Sequence, residues 1–211
     1  MTAIPEQASD FLTQCQTDAT RRWSAEDFAA QQQFVNERVA GSKWADWSTP
    51  MAAMQLIQSS LLGVAIEETG RHEAIIIAGP IVELLPPAEV FGMTARRLKP
   101  AGRLVGVIPC LRDNSPESQL FMDLAAEQLW PYCVAEELTE ALGESGFELD
   151  DSGGDGFTAI PQFIHAVLDD RLSFKGFRKI FDEMEKQGYD PIEVGWGELR
   201  FSAKLIEADK A

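Results

Sequence analysis

"AIIIAGPIVELLPPAEVFGMTARRLKPAGRLVGVIP", Ala74–Pro109, is the stretch on which the fold turns. It opens with an isoleucine run ended by Gly79-Pro80 and closes with a second apolar run, Arg103–Pro109. Runs without polar alternation suit strands covered on both faces, as in a parallel sheet flanked by helices. Between them, PPAEVFGMTARRL has helical spacing, with Val90, Met93 or Thr94, and Arg97-Leu98 on successive turns. Lys99-Pro100-Ala101-Gly102 ends that helix, because proline disfavours helix at the residue before it and Gly102 permits a positive φ. The pattern predicts a βαβ unit with adjacent parallel strands and a right-handed crossover.

Working outward toward the N-terminus, LLGVAIEE reads as a short strand. KWADWSTPMAAMQLIQSSL passes from an extended segment into a helix, with Ser48 or Thr49 as N-cap and Pro50 in the first turn. Residues 1–43 read as polar and helical. Asp10 caps a first helix, and Ser24, followed three residues later by Asp27, opens a second that Gly41 ends.

In the other direction, a polar loop follows Cys110, then a helix near SQLFMDLAAEQL. VAEELTEALGESGFELDD is a helix with a glycine stop feeding a strand, its buried edge Leu138, Leu142 and Phe147. SGGDGF is a turn. Across 160–188, Phe174, Phe177, Ile180, Phe181 and Met184 form a helical stripe, and GELRFSAKLIEA alternates like a half-exposed strand. The expected organisation is a helical N-terminal segment, 1–43, and an α/β domain, 44–211, with a helical insertion at about 155–190.

Composition narrows the function. The 211-residue chain carries 34 acidic against 18 basic residues, a net charge of -16, so a nucleic-acid partner is repelled. The nearest basic group, Arg96, Arg97, Lys99 and Arg103, reads as cations facing the negative end of a helix dipole. No apolar run of about 18 residues suggests a membrane span, and no basic-then-apolar leader opens the sequence, so a cytoplasmic protein is expected. Cys15, Cys110 and Cys133 are odd in number and form no CxxC pair, which suggests buried or incidental thiols rather than a disulfide framework or a zinc site.

Taken together, the 74–109 stretch, EELTEALGESGFEL and the final strand resemble the second half of a class I S-adenosylmethionine-dependent methyltransferase. In that family a buried fourth strand is followed by a helix ending in a turn close to LKPGG, then strand five, then a helix with a GF turn into the last two strands. Here the turn is LKPAG. The resemblance implies a Rossmann-like sheet, S-adenosylmethionine as cofactor and methyl transfer to a small-molecule acceptor. DWSTPM resembles the family's end of strand two, which makes Asp46 the acid that accepts hydrogen bonds from the cofactor ribose; a helix-flanking surface aspartate is the plainer reading. Ala78 and Gly79, where the fourth strand gives way to Gly79-Pro80, stand where ligands gather in open α/β sheets. The Asn/Asp-Pro-Pro-aromatic motif of amino-directed methyltransferases is absent there, which disfavours nucleic-acid methylation.

The sequence departs from the family at its start. A glycine-rich GxGxG turn is expected after strand one, yet no glycine precedes Gly41, so the sheet is expected to be incomplete or degenerate on its N-terminal side. That absence predicts weak S-adenosylmethionine binding with the fold retained. His72 and His165 are candidate general bases by residue type, and Glu67 and Glu68 candidate adenine contacts; core or surface histidines and a solvated charge pair are the structural alternatives. Two other functions stay open: a non-catalytic relative acting as a binding or assembly module, with a protein partner or a second copy, and a remnant of a longer enzyme whose exposed sheet edge needs covering.

Overall fold

The two apolar runs form neighbouring parallel strands, as their lack of polar alternation predicts. In a computed structural model, which describes residues 33–42, 44–46, 72–78, 86–127, 132–150, 156–159 and 175–206, these strands are β2 (His72–Ala78) and β3 (Leu98–Leu111). The described helices are α1 (33–39), α2 (Pro87–Arg97), α3 (Pro116–Glu127), α4 (Ala135–Glu144) and α5 (Lys175–Lys186). The remaining described strands are β1 (Trp44–Asp46), β4 (Phe147–Leu149), β5 (Gly156–Ala159) and β6 (Trp196–Leu205). The expected helix and strand between Pro50 and Glu68, the helices opened by Asp10 and Ser24, and Phe174 lie outside the described residues; of the second helix, the end at Val39 and the Gly41 stop, with φ +75°, are seen.

The sheet runs β1-β2-β3-β6-β4, with β5 also paired to β6. β1, β2 and β3 are parallel, while β6 is antiparallel to β3, β4 and β5. Both faces are covered. Ile75, Ile77, Leu104 and Ile108 turn toward α2 and α4, meeting Val90, Phe91, Leu138 and Leu142. Ala74, Ile76, Val105 and Val107 turn the other way, toward Phe34 and Val39 of α1. Successive residues facing opposite layers are what a strand's period of two requires.

β6 departs from the half-exposed strand expected of its alternation. Glu198 and Ser202, two of its four polar members, are fully buried alongside Leu199, Phe201 and Ala203, while Arg200 is partly exposed and Lys204 exposed. β6 is interior because β3 lies on one side and β4 and β5 lie end to end on the other. Its polar side chains are admitted because they have partners: Arg200 Nε donates to Glu198 Oε1 at 2.6 Å and Arg103 Nη1 to Ser202 Oγ at 3.3 Å.

The LKPAG turn also differs in detail. α2 stops at Arg97, and the positive φ falls on Ala101, at 58°, rather than on Gly102. Gly102 is required for a different reason: a Cβ there would sit 2.8 Å from the Lys99 carbonyl oxygen and 3.1 Å from Leu98 Cβ. The two neighbours therefore respond oppositely. A left-handed Ala costs about 1–2 kcal/mol, part of which glycine's greater unfolded-state freedom takes back, so Ala101→Gly should raise the urea unfolding free energy by about 0.5–1 kcal/mol. Gly102→Ala should lower it by about 1–3 kcal/mol. Equal effects at both positions would contradict this account of the turn. The basic residues around it are engaged locally: Arg96 and Arg97 close α2, Lys99 pairs with Glu73 at 2.9 Å, and Arg103 with Asp150 at 3.0 Å.

Candidate functional site at the carboxyl edge of the sheet

Three parallel strands end on one edge, and in open α/β sheets that edge is where ligands bind. β1 reaches it at Asp46, in register with Ile76; β2 reaches it at Ala78, in register with Val107; β3 runs on through Pro109, Cys110 and Leu111. Asp46 and Ala78 are thus brought to the same edge. Gly79 and Pro80, His165, Glu67 and Glu68 lie outside the described residues.

His72 is at the wrong end. It opens β2, opposite Leu98, six residues before Ala78 and therefore about 20 Å from the carboxyl edge. A general base for chemistry at that edge cannot sit there, and the reading of His72 as one is set aside.

Asp46 differs from expectation in its strand. β1 pairs directly with β2, the fourth strand of the family pattern. In the doubly wound order 3-2-1-4-5 the neighbour of strand four is strand one, not strand two. Trp44–Asp46 therefore stands beside β2 in the place that this order gives to strand one. The segment after it begins Trp47-Ser48-Thr49-Pro50-Met51 and has no glycine before Gly63. A bound S-adenosylmethionine fits this edge only in part: β1 ends on an acidic residue, Asp46, but the residue types that let backbone approach a ligand closely are missing from the sequence that follows.

Beyond Ala78 the edge is bounded by residues that sequence reasoning did not single out. Opposite Pro109, Cys110 and Leu111 stand Glu198, Gly197 and Trp196 of β6. Residues directly opposed across a ladder share a face, so Glu198, Arg200 and Trp196 line the side that Val107 and Leu111 line. Glu198 is fully buried, and Arg200, with 15% of its side chain exposed, pairs with it at 2.6 Å. The signal for it was the spacing Glu-Leu-Arg, which puts both charges on one face of a strand.

Closing this end is an aromatic cluster. Phe121 of α3 packs on Phe177 and Phe181 of α5, on Tyr132 and on Trp196, with ring centroids 5.4–6.2 Å apart. Leu111, Val134, Ile180 and Met184 complete it. α5 thus covers the end of β3. Ser115 starts α3, its Oγ accepting from the Ser118 N–H at 3.2 Å, while its own N–H donates to Asp113 Oδ1 at 3.0 Å. Among the described residues no group of three His, Cys, Asp or Glu side chains could hold a metal ion, and no helix is long and apolar enough to cross a membrane.

No protein-family model matches the sequence, and no curated protein matches it either. Solved structures do match by shape. A geranyl diphosphate methyltransferase in complex with geranyl diphosphate and sinefungin is 14% identical, with a TM-score of 0.53, over 84% of this chain and 78% of that one. The Streptomyces coelicolor A3(2) geranyl diphosphate C-methyltransferase, solved with Mg2+, geranyl diphosphate and S-adenosyl-L-homocysteine, is 13% identical at a TM-score of 0.46, over 77% of this chain and 63% of that one. The [4+2]-cyclase SpnF is 16% identical at 0.44, over 78% and 67%. The fold is that of the class I S-adenosylmethionine-dependent methyltransferases, a Rossmann-like α/β sheet.

Proposed function

We propose that this chain is a methyltransferase-like protein whose carboxyl-edge site takes a small-molecule acceptor and holds S-adenosylmethionine weakly, through Asp46, Ala78 and Gly79. The observation that carries the reading is the common edge reached by Asp46 and Ala78 on neighbouring parallel strands. A carboxylate there supplies hydrogen-bond acceptors to a polar cofactor. Methyl transfer at such a site asks little covalent chemistry of the protein: catalysis rests on aligning the acceptor nucleophile with the methyl carbon. The net charge of -16 favours a neutral or cationic acceptor over nucleic acid.

The weak hold follows from the glycine-free segment after β1. That same feature supports a second reading, a non-catalytic relative that keeps the sheet as a binding or assembly module and pairs with a protein partner or a second copy.

Calorimetric titration of the full chain with S-adenosylmethionine and S-adenosylhomocysteine tests both. The expected result is saturable binding well weaker than micromolar, reduced about tenfold further by Asp46→Ala, the loss of one charge-assisted hydrogen bond. Low-micromolar binding abolished by Asp46→Ala would restore a full cofactor site. Binding indifferent to that substitution would put the pocket elsewhere, and no binding at any concentration would leave the module reading.

A further inference from the structure

Two of the three cysteines, far apart in sequence, meet at the end of β3. Leu111 and Val134 form a parallel bridge, and the Leu111 N–H donates to the Cys133 carbonyl oxygen at 3.0 Å. Stepping back one residue on each segment makes Cys110 and Cys133 register partners. Leu111 and Val134 both pack into the aromatic cluster, whereas Cys110 lies in the core on the opposite face and Cys133 packs against that same core. The two side chains therefore stand next to each other on one face. Neighbouring strands lie about 4.8 Å apart, inside the Cα separation of about 4.4–6.8 Å that a disulfide spans.

Their surroundings differ. Cys110 is fully buried and Cys133 half-buried. Burial pushes the Cys110 thiol far above its ordinary range; nearby Cys133 and Glu198 add to the rise, and a backbone hydrogen bond from Leu199 opposes it. A small oxidant therefore meets Cys133 first, while Cys110 waits beside it.

We propose that Cys110 and Cys133 form a reversible intramolecular disulfide, with a small-molecule disulfide as the oxidant. The Cys133 thiolate attacks one sulfur of RSSR, giving a mixed disulfide and releasing RS⁻. The released RS⁻ takes the Cys110 proton, and the Cys110 sulfur attacks Cys133 Sγ, displacing the second RS⁻, which takes a proton from solvent. The two protein thiols lose two electrons, RSSR gains them, and two RSH result. The bridge fastens the start of α4 to the end of β3 across residues 111–132, which include α3. It is independent of whether the edge binds a cofactor.

The test is incubation of the native full chain carrying Cys15→Ser with oxidised glutathione, then acid quench, intact mass and peptide mapping. The expected product is lighter by two hydrogens, about 2 Da, contains a Cys110–Cys133 cross-linked peptide and reverts with dithiothreitol. With Cys110→Ser added, the reaction should stop at a glutathione adduct on Cys133. Wild-type protein is mapped in parallel, so that a folding defect in a variant cannot hide the bridge. A stable Cys133–glutathione adduct in the chain that retains Cys110, persistence of both thiols, or a wild-type bridge that uses Cys15 would each overturn the proposal.

Discussion

Replacing Phe121 with alanine should lower the unfolding free energy by about 3–5 kcal/mol, the range for removing a fully enclosed aromatic ring. Phe121 has no solvent exposure and touches Tyr132, Phe177, Phe181 and Trp196 at once. Those partners come from α5, from β6 and from the segment before α4, so none can fill the space without moving an element of its own. Besides the area returned to water, the cavity therefore stays open. Phe121→Leu keeps most of the volume and should cost less than half as much. Urea denaturation followed by tryptophan fluorescence and by far-ultraviolet circular dichroism checks both substitutions. A loss below about 1 kcal/mol for the alanine variant would mean that the cluster relaxes freely and does not anchor α3 and α5.

The second large effect is expected at Gly106. It stands directly opposite Phe201 in the β3–β6 ladder, and a Cβ at Gly106 would lie 2.2 Å from two atoms of the ring. The ring is buried and held edge-on by Phe91, at a centroid distance of 6.2 Å, so it cannot swing aside. Gly106→Ala should destabilise by about 3 kcal/mol through overpacking in the middle of the sheet. Shortening the opposing side chain should relieve it. In a double-mutant cycle, Gly106→Ala with Phe201→Leu should cost less than the sum of the two single changes by more than about 1 kcal/mol. Strict additivity would show that the clash is absorbed elsewhere.

Gly106 also shows how legible the fold was. The β2-α2-β3 unit could be read directly, because its apolar runs, helical spacing and proline stop all lie within Ala74–Pro109 and depend on no distant partner. What could not be read depended on partners. Glu198 and Ser202 alternate with apolar residues as on a wetted strand, and only the fold around β6, with Arg200 and Arg103 as their partners, makes them interior. Trp44–Asp46 could be read as extended, but its place beside β2 is a long-range fact that local pattern does not encode. Within LKPAG the letters point to glycine for the positive φ, yet crowding from Lys99 and Leu98 gives Gly102 another task and leaves the left-handed turn to Ala101. Asp46 and Ala78, the residues proposed for the site, were singled out by residue type and motif position, whereas Glu198 and Arg200 gave no sign beyond their spacing.

β6 joins three ladders, and it is also the described strand nearest the end of the chain. During synthesis β3 therefore emerges long before its antiparallel partner; Arg103 and Ser202, which hydrogen-bond in the finished sheet, are 99 positions apart. Until Trp196–Leu205 leaves the ribosome, one side of the run from Leu104 to Leu111 has open hydrogen-bonding groups and an apolar surface with nothing laid on it. The nascent chain is then at its most adhesive, and the arrival of β6 ends that exposure.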